Sequence, residues 1–232
     1  MSRVEAMAAA RRRAATVARM RMVAQASNAS ASRNGEPRKQ DERCEICNAR
    51  LPDDHRHMLQ LEERRIVCSC EACWALHSGD PEYRPVGTRT TWLEKFDLDE
   101  QLWARFQIPI ALAFFMRSSV TGGVVAFYPS PAGATESELS LDSWQELVRR
   151  NPVLERLDPD AEALIVNRLE DPPQFVVAPI DQCYALVGLI KVRWEGISGG
   201  PALREAVPEF FASLRAKTSQ PPRLRPPSGA TP

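Results

Sequence analysis

The sequence predicts an α+β fold: a small zinc-ribbon-like module followed by an antiparallel-sheet domain with packed helices. Three observations predict it. Five of the six cysteines crowd into residues 44–73. The β-rich runs come in pairs joined by short turn signals. Helical patterns fall between those pairs rather than between single strands, which argues against a doubly wound sheet. At 232 residues with 44% apolar content the chain can bury one substantial core and carry a small satellite module.

Residues 1–43 read as a disordered basic leader. They are Ala/Arg-rich, then Ser/Asn/Gly-rich, with ten Lys/Arg against four Asp/Glu and no apolar stripe to dock a helix. Arg19 and Arg21 interrupt the apolar stretch that a secretory signal needs, so a cytoplasmic location is expected. The whole chain has a formal net charge of zero, and no global field recruits nucleic acid or an anionic membrane. The apolar run from Ile108 to Met116 is far shorter than the roughly 20 residues a bilayer span requires.

The module at 44–78 reads as knuckle, hairpin, knuckle. "CEIC" opens it. His57, Leu59 and Leu61 then alternate with Met58, Gln60 and Glu62 at strand period. Glu63 and Arg64 make the turn and Ile66 to Cys68 the return strand. A charged linker with Gly79, Pro81, Pro85 and Gly87 follows.

The domain at 92–217 opens with "FDLDEQLWARF", a short helix with Asp97 or Asp99 as cap. "IPIALAFFMRSS" and "GGVVAFYP" form a hairpin about Gly122–Gly123, and "PSPAGATESELS" reads as a long polar loop. Asp142 and Gln145 resemble a capping box for a helix that Asn151–Pro152 ends. "EALIVNRL" and "QFVVAPI" form a second hairpin through Asp171, Pro172 and Pro173. "IDQCYALVGLIKVRW" is a buried helix with Asp181 at its cap, with a strand as the alternative. "SGG" at 198–200 marks a helix entry. Leu203, Ala206, Val207, Phe210, Phe211 and Leu214 then give an amphipathic helix that Pro208 should kink or restart. Residues 218–232 are a Pro-rich disordered tail.

Clustered CxxC thiols in a reducing compartment point to a metal before a disulfide. A CxxC knuckle turns tightly enough to set two thiolates on one side of an ion, and two knuckles close a four-sulfur site. Cys44, Cys47, Cys70 and Cys73 fit that scheme, with 22 residues between the knuckles. Zinc is the first expectation for an all-thiolate set, and a closed set is structural rather than hydrolytic. Iron or an iron–sulfur cluster at the same cysteines is the alternative. Cys68, two residues before Cys70, is either a small core residue or an alternate ligand. His77 is a second alternate. His55 and His57, in or beside the module, could each replace a cysteine as ligand, but with four thiols available they are expected at the surface or supporting the ligands.

Beyond His77 there is no histidine, so no Ser/His/Asp or Cys/His arrangement has its base in the larger domain. Cys183 stands alone in an apolar pattern and reads as packing. No Gly-rich phosphate loop occurs. The segment 129–139 is the one stretch shaped for contact, and an acid/base site built on carboxylates would centre on its Glu136.

"CEICNARLPDDHRHMLQLEERRIVCSCEAC", "FDLDEQLW", "VVAFYPSPAGATESEL" and "PIDQCYALVGLIKVRWEGISGG" resemble an uncharacterised bacterial family over about residues 44–216. Its members are often encoded within nickel–iron hydrogenase gene clusters. The resemblance implies an accessory or maturation role beside a hydrogenase. The cysteine pattern is also similar to the zinc knuckles of metallochaperones that deliver nickel, though the chain lacks their Met-His start. The combined expectation is a non-enzymatic metal-binding accessory protein whose partner is a protein, a hydrogenase or a maturation factor. Neither membrane nor nucleic acid is expected as a partner. The alternative is an iron-containing electron carrier or redox sensor using the same cysteines.

Overall fold

The computed structural model describes residues 42–137, 139–195 and 200–218. The leader expected over 1–43 lies outside the described residues apart from Glu42 and Arg43. The tail expected over 218–232 lies outside them apart from Thr218, as do Ser198 and Gly199 of the expected helix entry.

The first described elements are the strands β1 (Arg56–Gln60) and β2 (Arg65–Ser69), an antiparallel hairpin that turns over residues 61–64. Arg64 takes φ 48° in that turn. A short helix, α1 (Glu71–His77), follows. The segment read as a charged linker then supplies β3 (Tyr83–Pro85), which adds to the free edge of β1 to give the order β2-β1-β3. Pro85 sits on an outer strand, where a missing N–H is tolerated.

Next come β4 (Thr91–Trp92) and the helix α2 (Glu100–Arg105). Asp99 is the N-cap of α2, accepting from the Leu102 N–H at 2.7 Å, so of the two aspartates it is Asp99 that caps. The strands β5 (Leu112–Arg117) and β6 (Val124–Ser130) form the expected hairpin, and Gly122 takes φ 67° in its turn. The polar loop expected after β6 is instead largely a strand. β7 (Gly133–Ser137) folds straight back on β6, Ser130 pairing with Gly133 across only Pro131 and Ala132. Gly133 has φ 121°, a value that favours a residue without Cβ, and the Ser130 hydroxyl donates to its carbonyl at 3.1 Å. A polar edge strand has too little apolar alternation to declare itself in sequence.

Helix α3 (Leu141–Arg150) starts two residues earlier than the capping box implied. Its N-cap is Ser140, Asp142 lies in the first turn, and Asn151 ends it. A 3-10 turn (Pro152–Arg156) leads to β8 (Glu162–Asn167) and β9 (Gln174–Pro179), the second hairpin. Helix α4 (Ile180–Arg193) resolves the strand-or-helix alternative; Pro179 is its N-cap and Asp181 lies one residue inside. Helix α5 (Gly200–Thr218) runs through Pro208 without a break, so the expected restart does not occur.

The larger sheet has the order β4-β9-β8-β5-β6-β7, and every pairing in it is antiparallel. Each central strand divides its side chains between two cores, as the period of two requires. Phe114, Met116, Ile165 and Val176 join Cys183, Leu186, Val207 and Phe211 of α4 and α5 on one face. Phe115, Ala126, Leu164 and Val166 join Leu102, Phe106, Trp144 and Leu147 of α2 and α3 on the other. Every residue of β8 is therefore buried. Each fully buried Phe or Leu contributes about 1.5–3 kcal/mol to such a core. No helix among the described residues is long and apolar enough to cross a membrane.

The smaller sheet is tied to the larger one. Leu59 of β1 and Val86, just past β3, belong to the same apolar cluster as α4 and the first sheet face. Polar contacts reinforce that seam: Arg64 pairs with Glu136 of β7 at 2.7 Å, and Arg84 pairs with Asp158. The connecting segment is held by Arg89, which donates to both carboxylate oxygens of Glu162 at 2.9 and 2.6 Å.

Candidate metal centre

Two knuckles meet at the end of the β1–β2 hairpin. In the first, the Asn48 N–H donates to the Cys44 carbonyl and the Cys44 N–H donates to the Ala49 carbonyl, both at 2.8 Å. Asn48 has φ 63°, a left-handed conformation that asparagine tolerates. The Glu45 N–H donates to the Cys68 carbonyl at 2.9 Å, and the Cys68 N–H donates to a Glu45 carboxylate oxygen at 2.7 Å. These bonds pin the first knuckle to β2.

The second knuckle is a helix start. Strand β2 ends at Ser69, and Cys70 becomes the N-cap of α1, its sulfur accepting from the Cys73 N–H at 3.4 Å. The first helical turn then brings Cys73 back beside Cys70.

The four donor sulfurs of Cys44, Cys47, Cys70 and Cys73 all lie within 4.8 Å of one another. Cys47 Sγ and Cys70 Sγ, one from each knuckle, are 3.7 Å apart. All four are free thiols. A tetrahedral ion with metal–sulfur bonds of about 2.3 Å separates its sulfurs by roughly 3.8 Å, so the cluster suits one ion. The four cysteines can hold a metal ion.

The electrostatics are uneven. Burial raises the Cys44 thiol, but backbone N–H groups of Cys47, Cys70 and Ile46 outweigh it and bring it down to about 6. Cys73 is pushed up to about 12, first by burial and then by the neighbouring thiols. Four thiolates this close repel one another, and a central cation removes that repulsion.

The alternates stand elsewhere. His77 Nδ1 lies 2.6 Å from Asp80 Oδ2, and the ring is edge-on to Tyr83. Cys68 is opposite His57 in the hairpin register, which turns both side chains to one face. Its group is therefore His55, His57 and Cys68, whose donor atoms also lie within 4.8 Å of one another. The strand ending at Ser69 separates Cys68 from Cys70, which the two-residue spacing alone left on one face. His57 Nδ1 lies 2.8 Å from Asp181 Oδ2 at the start of α4. That hydrogen bond, with Cys68 beside the ring, raises His57 to about 10 against the opposing effect of burial. Asp181 carried only a capping role in the sequence; a contact spanning 124 positions leaves no local signal.

The remaining candidates are structural in their surroundings. Glu136, on β7, pairs with Arg64 of the hairpin turn. Cys183 is fully buried, and burial pushes its thiol well above the ordinary range.

A family model described as a family of unknown function, DUF5947, matches residues 43–218, and the chain belongs to that family. No curated protein and no solved structure matches the chain.

Proposed function

From this family membership and the four-sulfur site together, we propose that the chain is a non-enzymatic accessory protein. A zinc ion held by Cys44, Cys47, Cys70 and Cys73 clasps the knuckle end, and the body docks on another protein. The setting that the sequence resemblance implies is hydrogenase maturation or assembly. The observation that carries the metal half of the reading is the convergence of two distant CxxC pairs at tetrahedral spacing. Four thiolates fill a tetrahedral ion, so the metal supplies a crosslink and no reactive position. A three-stranded sheet this small gains much of its local stability from such a clasp.

Exposed apolar side chains support the docking half. Ile46 projects from inside the first knuckle and is 36% exposed, and Leu76 on α1 is 74% exposed. Ile46 lies between the two cysteines of the first knuckle and Leu76 three residues past the last cysteine of the second. Full-length protein, expressed in its native host with a small tag, tests this by affinity capture beside an Ile46→Ser/Leu76→Ser double variant. Hydrogenase subunits or their maturation factors enriched by the wild type and lost with the double variant support the reading. Equal recovery from both, or no enrichment of such proteins, overturns the docking half. A coloured sample containing iron rather than zinc overturns the metal half in favour of electron transfer or redox sensing.

A further inference from the structure

The second donor cluster, at the seam between the hairpin and α4, is built differently from the first. His55 stands just before β1, His57 is in β1, and Cys68 faces His57 from β2. The His55 side chain is 6% exposed.

Each imidazole is oriented by an oxygen that can only accept. His55 Nδ1 lies 3.0 Å from the Pro52 carbonyl, and His57 Nδ1 lies 2.8 Å from the Asp181 carboxylate. Each ring therefore carries a proton on Nδ1 and donates it. The two Nε2 atoms face each other at 3.1 Å, and in the metal-free chain the raised His57 ring holds the proton between them, a place that a metal ion bound by both lone pairs would take over. Two lone pairs at that distance repel unless a cation joins them, either a proton on one ring or a metal ion. Metal–nitrogen bonds of about 2.0–2.1 Å place two tetrahedral imidazole nitrogens roughly 3.3 Å apart, close to the spacing seen.

The surroundings ask for positive charge as well. Asp181 Oδ2 holds His57, while Asp181 Oδ1 is buried without a hydrogen-bond partner. A carboxylate or a carbonyl behind each ligating imidazole is the usual support of a metal site, and here both occur. Cys68 adds a thiolate donor from the facing strand.

We propose that His55, His57 and Cys68 form a second metal site, separate from the four-cysteine centre, for a divalent transition ion of the zinc class. Two imidazole nitrogens and one thiolate are its protein donors. The fourth position of a tetrahedral ion is left to water or an incoming ligand, which makes this the exchangeable site of the two. Asp181 is its positioning residue: through His57 it couples occupancy to the contact between the hairpin and α4.

The test is zinc stoichiometry of full-length protein, loaded with excess Zn²⁺ and then dialysed against metal-free buffer, with His55→Gln, Cys68→Ser and Asp181→Asn beside the wild type. Two zinc ions per wild-type chain and one in both His55→Gln and Cys68→Ser are expected. Asp181→Asn keeps both sites but binds the second ion about 10- to 100-fold more weakly. A single ion in the wild type that survives in His55→Gln and Cys68→Ser overturns the proposal. A single ion that both variants lose supports this site and removes the four-cysteine one, so the two readings fail separately. The wild-type count and an X-ray absorption spectrum of the same sample require no variant to fold. Two ions with sulfur ligation only would also overturn the proposal.

Discussion

His57 Nδ1 and Asp181 Oδ2 lie 2.8 Å apart although 124 positions separate them in the chain. The contact joins the hairpin that the two cysteine knuckles flank to the first turn of the helix that covers the larger sheet. Two residues along β1, Leu59 is completely buried in the same apolar cluster as that helix. The hairpin is therefore bound to the larger sheet by packing as well as by the polar contact.

Leu59→Ala tests that coupling. Removing a fully buried leucine side chain costs about 2–5 kcal/mol. The expected result in urea unfolding is one shifted transition, seen alike by tryptophan fluorescence and far-UV circular dichroism. Two separated transitions in the wild type would show that the hairpin melts independently.

Cys44→Ser and Cys73→Ser should each abolish the four-sulfur ion and lose hydrogen-exchange protection across the two knuckles. Cys68→Ser should leave that ion in place. Elemental analysis with exchange mapped by mass spectrometry distinguishes these outcomes; loss of the four-sulfur ion in Cys68→Ser but not in Cys70→Ser would reassign the ligands.

Chelation should act locally. The six-stranded sheet has apolar cores on both faces that include no residue of the knuckles. Metal removal should therefore expose the amides of the two knuckles, 44–49 and 70–73, while those of β5 and β8 keep their protection. Comparable loss in β8 would contradict a clasp confined to one end.

The acid limb of the stability curve should report Arg150. It pairs with Asp99 at 2.7 Å and with Glu146 at 2.9 Å. The Arg150 hydrogen bond lowers the Asp99 carboxyl, while Arg149 first and then Arg150 lower that of Glu146. A carboxyl lowered on folding contributes stability at pH above its unfolded value, and that contribution fades as pH falls through the folded one. Arg150→Met should flatten the loss of thermal stability below about pH 4.5 relative to wild type. An unchanged acid limb would mean that these exposed pairs are fully screened.

Glu162→Ala leaves the Arg89 guanidinium without either of its two carboxylate bonds. The Glu162 side chain is 7% exposed and also accepts from the Asp158 N–H. A cost of about 1.5–3 kcal/mol is expected from lost hydrogen bonds to a charged group. Chemical denaturation of the two proteins measures it.

What the sequence makes legible follows from how local each signal is. The two central hairpins announce themselves because β5, β6, β8 and β9 are apolar runs separated by Gly122–Gly123 and by Asp171-Pro172-Pro173. Both CxxC pairs are equally local, and the structure brings their four thiols together. β7 was hidden because its residues are polar and its pairing rests on a two-residue turn ending at Gly133. β3 was hidden inside a charged, proline-bearing stretch that reads as a linker. The His55–His57–Cys68 group lies between these cases. The turn over 61–64 pairs 57 with 68, whereas the turn at Glu63 and Arg64 read from the sequence pairs 57 with 70, so the His57–Cys68 face hung on the exact place of the turn and Asp181 had no local signal at all. Pro208 shows the opposite failure: a local helix breaker is carried inside α5, where Val207, Phe211 and Leu214 are buried and hold the helix together.

The most direct test of the central claim is elemental analysis of full-length protein purified without added metal or a histidine tag, with a visible spectrum of the same sample. The account predicts a colourless protein carrying zinc that Cys73→Ser releases from the four-cysteine site. A protein without metal, or one carrying iron with a visible absorption band, would contradict it.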